Sequence, residues 1–408
     1  MSLRVSKPEF NIREKLNELD RPIGVQGNSI LQSNTTAESF SKIQAGRRNL
    51  LINGDMTIAQ RGTSTTGITG DTFGACDRWE VDITSGGTWT QEQVGDAPYN
   101  TGFTHCTSLT CTTAHAMGGN PSFVQVRQKI EAGNIKGLMG GTPNAKPLTA
   151  SFWVKSNEPG KYYVTIHRLR TGTNTTLMSI SYTIEQSEVW EFKTVTFPPD
   201  TQTGYQTTDN LEGMQISFNL GFNQNTYGSA HYGHWHTNSA YIGKGQTNLA
   251  AATSNYWRMT GAQLEIGNEH TEFEHRLYAE ELALCQRYLY RIGGLGKQYQ
   301  VVGNGFIGQN GGTKCAKVLI DLPVTMRSNP SVSVIGTDAF WAHTGAAFSD
   351  MTCHATSNTG GVWNDASSAN QIWLDFGRSA GGSPDNGTAT VVYTKDDNQG
   401  EILFTSEL

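Results

Sequence analysis

The sequence predicts a mainly β protein: an antiparallel β-sandwich of the jelly-roll kind with a short N-terminal helical anchor, one long helix after the sandwich, and a second, smaller β-domain. Three observations predict it. Period-two alternation recurs from about residue 49 to 266 between clusters of Gly, Asn, Thr and Pro; a single long stretch, residues 273 to 292, has helical spacing; and alternation resumes beyond it. The 408 residues include 46 glycines, with only 16% charged and 36% hydrophobic, a make-up suited to a β protein with long polar loops.

Taken in order, residues 1 to 46 read as an attachment segment. Ile12, Leu16 and Leu19 fall at i, i+4 and i+7, and with Phe10 they give a short helix one apolar stripe, stopped by Pro22. Such a helix of about three turns is marginal alone and must dock on something. Thr36 to Ile43 follows as a second short helical stretch, with Thr36 as its cap and Glu38 in its first turn.

Residues 47 to 292 form the predicted sandwich with its closing helix. Ile216, Phe218, Leu220 and Phe222 alternate with Gln215, Ser217, Asn219 and Gly221, the clearest strand in the chain. Tyr162, Val164 and Ile166 alternate with Tyr163, Thr165 and His167, and Phe152 and Val154 with Trp153 and Lys155. Trp190 and Phe192 keep one phase while Val195 and Phe197 keep the other, which predicts a bulge near Thr194. Several half-buried strands without alternating helices call for two packed antiparallel sheets. Leu277, Leu284, Cys285, Tyr288 and Ile292 then predict the helix over 273–292, closed by Gly293-Gly294. From 293 to 408, Ala316, Val318, Ile320 and Leu322, then Val332 and Val334, alternate as strands of the second β-domain.

Thirty Lys and Arg against 36 Asp and Glu give a formal charge of −6, with no basic block longer than Arg47-Arg48, which argues against a nucleic-acid partner. Six scattered cysteines (Cys76, Cys106, Cys111, Cys285, Cys315, Cys353) form no CxxC pair and read as small buried apolar residues. Neither a signal-peptide apolar region nor an apolar run of about 18 residues occurs, so neither export nor membrane insertion is expected. Such a chain, composed like an extracellular β protein, fits a virion component made in a host cytoplasm and released by lysis.

NLLINGDMTIAQRGTS (49 to 64), CDRWEV (76 to 81) and YWRMTGAQLEIGNEHTEFEHRLYAEELALCQRY (256 to 288) resemble segments of bacteriophage tail-fibre and structural proteins, especially of marine and cyanobacterial phages. SFWVKSNEPGKYYV (151 to 164) is similar to core strands of carbohydrate-binding-module-like jelly rolls, and FNIREKLNELDRPIGVQGNSIL resembles the attaching N-terminal segment of cyanophage fibre-like proteins. The resemblance implies a phage virion protein and leaves tail fibre, neck fibre and head decoration open; a short tail-fibre or receptor-binding subunit is the reading adopted. It would be homo-oligomeric, as a trimer, attached to other tail, neck or head proteins and adhering to host surface polysaccharide. A purely architectural head or neck fibre or decoration protein is the alternative, and a polysaccharide depolymerase a lesser one.

The residues themselves nominate two sets of site candidates. Trp153, Tyr163, Tyr227, Tyr232, Trp235 and Tyr241 point away from the core by alternation or loop position, and aromatic faces of this kind stack on sugar rings. Within HYGHWH, His231, His234 and His236 could ligate a metal, could line a glycan-contacting loop, or could sit in an ordinary surface loop. No catalytic motif is present, Asp200, Asp209 and Glu212 read as solvated loop acids, and neither an enzyme nor a cofactor is expected. Glu265 reads as structural. The charges Arg276, Glu280, Glu281, Arg287 and Arg291 read as a solvated helix face or as inter-subunit ion pairs.

Overall fold

Strands β1 to β12 pair into two six-stranded antiparallel sheets. β1 (Ser64–Ile68), β4 (Thr88–Val94), β5 (Cys106–Thr113), β12 (Tyr256–Ile266), β7 (Leu148–Ser156) and β10 (Glu191–Phe197) lie side by side in sheet A in that order. In sheet B the order is β2 (Thr72–Phe73), β3 (Glu80–Thr84), β6 (Phe123–Glu131), β11 (Glu212–Phe222), β8 (Gly160–Arg168), β9 (Thr176–Ile184). The computed structural model describes residues 47–408 apart from 119–120, 170–174, 203, 205–208, 224–232, 238–244, 295, 297–298, 311–312, 337–338, 346–350, 355–367, 381–384 and 396–399. Of the first 46 residues it describes Ile30, in a helical turn, and Gln32, so the anchor residues Phe10, Ile12, Leu16 and Leu19 lie outside the described residues. Met1–Arg48 and Asn49–Leu408 are separate compact units; everything below concerns the second.

The inward-facing residues of the two sheets make one core. Phe152 and Val154, Tyr162, Val164 and Ile166, and Ile216, Phe218 and Leu220 meet Trp79, Trp89 and Trp257 there, as the alternation requires. Each core indole N–H has an acceptor: Trp79 donates to the Asn53 carbonyl (2.9 Å), Trp89 to that of Gly86 (2.8 Å) and Trp257 to the Tyr182 hydroxyl (3.2 Å). A register shift between Asn219 and Gly221 in the β11–β6 ladder moves Phe222 to the opposite face, where it stacks on Phe123.

Besides Phe222, read on the same face as Ile216, Phe218 and Leu220, two further expectations need correction. β10 pairs with β7 residue for residue from Glu191 to Phe197, without a bulge near Thr194; Val195 and Phe197 are the inward residues, and Phe192 points outward beside Trp153. The long helix is only nine residues, α1 (Tyr278–Gln286). Leu277, read as part of its buried stripe, is exposed, and the chain after Arg287 turns into strand β13 (Leu289–Gly293). Five residues of sheet pairing with β21 (Glu401–Thr405) and burial of Tyr288, Leu289 and Ile292 outweigh the helical spacing.

β21 is the middle strand of a three-stranded sheet, flanked by β13 and β16 (Ser331–Ile335). The remaining strands close a six-stranded barrel in the order β14 (Val301–Asn310), β15 (Thr313–Asp321), β19 (Gln371–Ala380), β18 (Met351–His354), β17 (Phe340–His343), β20 (Ala389–Thr394), and back to β14. Close approach of β14 to β15 depends on Gly305, where a Cβ would lie 1.8 Å from the Lys317 carbonyl oxygen. Ile307, Val318, Phe340, Phe376 and Val392 fill the barrel, and Ile292, Ile402 and Phe404 of the small sheet join the same core.

Candidate functional site

The motifs that bracket the sandwich fold into one structural knot. Asn53, at φ +56°, donates through Nδ2 to the carbonyls of Ile58 (2.9 Å) and Asp77 (3.0 Å) and accepts the Ile58 N–H at Oδ1 (2.9 Å). Its own N–H goes to the Glu281 carboxylate (2.5 Å). Asn49 Oδ1 accepts from the N–H groups of Leu51 and Leu264, both at 3.0 Å. Arg276 donates to the carbonyls of Asn49 and Leu51 and pairs with Glu274 and Glu281. Glu265 accepts from the Thr271 N–H and hydroxyl, as its structural reading requires. NLLING, CDRWE, QLE and FEHR therefore act on one another inside this chain.

The charges read as one helix face need correction, since only Glu280 and Glu281 lie on α1. Arg276 and Glu281 are buried partners; Arg287 grips Glu131 and Arg291 pairs with Glu401 (2.7 Å), both within the chain; Glu280 is exposed. Asp200, read as a solvated loop acid, is buried as the partner of the fully buried Arg168 (Nε to Oδ2, 2.7 Å) and acceptor of the Thr176 hydroxyl.

The structure separates the aromatic candidates. Tyr163 does point to the outer face of sheet B, yet it is only 1% exposed, because Phe222 and Phe123 pack over it. That face is a covered polar layer. Asn219 Nδ2 donates to Thr165 Oγ1 (2.8 Å), Thr165 meets Ser179 (2.8 Å), and Gln246 Nε2 donates to the Asn219 carbonyl (2.7 Å). Trp235 is half-buried against the main core, its indole N–H given to the Pro198 carbonyl (2.7 Å). His236 is buried and bridges in antiparallel fashion to Leu177, while His234 is exposed. Among the described residues no group of three or more His, Cys, Asp or Glu is placed to hold a metal. Tyr227, Tyr232, Tyr241 and His231 lie outside the described residues.

Among the described candidates, Trp153 lies half-buried on the outer face of sheet A. Its ring lies 5.4 Å from that of its cross-strand neighbour Phe192, which is 41% exposed, and His270 flanks Phe192 at 5.2 Å. Two residues along β7, Lys155 lies over the Trp190 ring and donates to Asp96 (2.9 Å), which also accepts from the Trp190 indole (3.1 Å) and from Arg258. Burial pushes the Asp96 carboxyl up, but these three donors outweigh it and hold it below its ordinary value. Arg258 in turn covers Tyr256 (4.6 Å). The face thus joins an aromatic strip to oriented charged groups, which suits a ligand with apolar ring faces and a polar rim. Phe192, Trp190, Tyr256, Asp96 and Arg258 were missed by the sequence reading. The signal was there: Val195 and Phe197 set the inward phase of β10, which leaves Phe192 outside.

On the outer face of sheet B, toward its β2 edge, Arg127 pairs with Glu80 (2.7 Å) and Asp82 and reaches the exposed Asp71 at 3.4 Å. Burial and the facing Asp71 carboxyl push Asp82 up to about 7 despite Arg127 and Gln125.

No protein-family model and no curated protein matches this chain. Among solved structures it is similar to the enzymatically active domain of tailspike protein 4 of bacteriophage CBA120 (13% identity, TM-score 0.29, 53% of this chain and 21% of that one). It is also similar to a family 11 carbohydrate-binding module of a Clostridium thermocellum cellulosomal cellulase (15%, TM-score 0.26, 50% and 98%) and to a putative sugar binding protein from Bacteroides thetaiotaomicron (11%, TM-score 0.30, 54% and 100%). The chain spans about a fifth of the tailspike chain it matches. No ligand or activity passes to this chain at such scores.

Proposed function

We propose that the chain is a non-enzymatic structural protein of a bacteriophage particle, a short tail-fibre or receptor-binding subunit that adheres to host surface glycans. The observation that carries the adhesion reading is the Trp153–Phe192 pair on the outer face of sheet A beside the Asp96, Lys155 and Arg258 cluster. Stacking on such rings is weak per site. On a homotrimer fixed to a particle, second and third contacts become intramolecular and multiply the affinity. The resemblance of the bracketing motifs and of residues 10 to 31 to phage fibre proteins supports the particle assignment, with residues 1 to 46 as the attachment to neighbouring virion proteins. Cryo-electron microscopy of the particle tests this: trimers projecting from the tail agree with it, and copies spread over the head or around the neck would replace it with the architectural reading.

A further inference from the structure

The barrel carries a second aromatic surface with an unusual support. Strand β19 alternates Ile372, Leu374 and Phe376 into the barrel, so Trp373 and Asp375 point outward. An outward carboxylate on a barrel wall is ordinarily wet, yet Asp375 is 2% exposed. Two of its contacts are made on the spot: the Trp373 indole N–H donates to Oδ1 (3.1 Å), and Lys317 Nζ donates to Oδ2 (2.7 Å). The Lys317 stem lies where a Cβ on Gly308 would fall 2.7 Å from Cε, so the glycine leaves the room it occupies. Phe306 meets Trp373 edge to face at 6.0 Å, and Phe306 and Leu319 are each 41% exposed.

Burying a carboxylate and an ammonium costs desolvation that their attraction only partly offsets. Packing within the barrel does not use this pair, which lies outside the wall. What the pair does is hold one indole in one orientation, and a fixed aromatic ring loses little freedom when a ligand stacks on it. Within the pair, the ammonium and the carboxylate offset one another.

We infer that Phe306, Trp373 and Lys317 form a binding site for neutral pyranose chains, with Asp375 as the positioning residue. The rings would take the C–H face of a sugar and the ammonium its hydroxyls. The inference extends the adhesion reading to a second site, so its test must distinguish the two. Cellohexaose, mannohexaose, xylohexaose and hexagalacturonate are titrated calorimetrically into the full chain and its W373A, F306A, W153A and W341A variants, each first checked for an unchanged melting temperature. W341A is the control, an equivalent ring on the same barrel that rests on Tyr393 and Lys395.

The expected result is binding of at least one neutral hexaose, weakened about tenfold or more, roughly 1.4 kcal/mol, by W373A and by F306A, and unchanged by W341A and W153A. Loss in W153A alone would overturn this inference and leave the sheet A reading standing. Absence of binding by every neutral hexaose, or a preference for hexagalacturonate, would also overturn it. So would a change of oligomeric state in W373A without sugar binding, which would make the surface a contact between copies.

Discussion

Arg287 grips Glu131 with two parallel hydrogen bonds, Nε to Oε1 at 2.7 Å and Nη2 to Oε2 at 2.8 Å, and so ties the segment between α1 and β13 to the last residue of sandwich strand β6. The Tyr288 hydroxyl adds a third donor to Oε1 (2.5 Å). Burial raises the Glu131 carboxyl, but the donated hydrogen bonds prevail and hold it below its ordinary value. Around the same point, Arg78 lies 3.5 Å from the Tyr288 ring centroid and pairs with Glu407, and Lys129 donates to the Leu408 carbonyl (2.8 Å). The sandwich is thus joined to the segments flanking β13 and β21 of the three-stranded sheet by oriented polar contacts.

Glu131→Gln should therefore destabilise the chain by about 2 kcal/mol, because it removes the charge while leaving Arg287 and Tyr288 in place. Urea unfolding measures this. An unchanged midpoint would show that the junction contributes nothing.

Asn53 is expected to be among the costliest polar positions. Asn53→Ala removes two donated and one accepted hydrogen bond at a positive φ that alanine tolerates poorly, an expected loss of about 3 kcal/mol. Asn53→Asp should fare no better, since it loses both donors. Retained stability in either variant would contradict the knot described for the bracketing motifs.

Core and surface tryptophans should separate cleanly. Trp79, fully buried and hydrogen-bonded, should cost about 3 to 5 kcal/mol on substitution by alanine. Trp153→Ala, on the outer face of sheet A, should cost about 1 kcal/mol or less. Comparable losses would mean that Trp153 serves packing.

Acid sensitivity should trace to His167. Burial, with the Arg127 charge and His236 nearby, pushes its imidazole down to about 3. The folded value lies below the unfolded one of about 6.5, so the unfolded chain takes up the proton first as pH falls. Its contribution is intact above about pH 6.5 and is lost progressively between there and pH 3, reaching about 2 kcal/mol at pH 5. The difference in stability between pH 7 and pH 5 should shrink in His167→Gln. Parallel pH profiles for the two proteins would refute it.

Period-two alternation in β7, β8 and β11 was enough to place the core side of both sheets, because inward residues there are large and apolar. It says which face a residue takes and leaves open what covers that face, so Tyr163 reads as a surface ring although Phe222 and Phe123 pack on it. The bulge expected near Thr194 follows from the two phases of Trp190 and Phe192 and of Val195 and Phe197; the unbroken β10–β7 ladder gives the core to Val195 and Phe197 and leaves Phe192 outside. The helix was overextended because Tyr288, Leu289 and Ile292 fit both a helical stripe and a buried strand; their partner β21 lies more than 100 residues away, beyond any local pattern. The Trp373 surface escaped for a similar reason, since Lys317 and Asp375 meet only when β15 and β19 pair.

The most direct test of the adhesion claim is the binding of the full chain, with and without Trp153→Ala and Phe192→Ala together, to cells of the bacterium on which the particle propagates. The account predicts that the double variant folds and assembles normally and loses about tenfold or more in cell binding, and that periodate treatment of the cells abolishes the remainder. Undiminished binding by the double variant would contradict it.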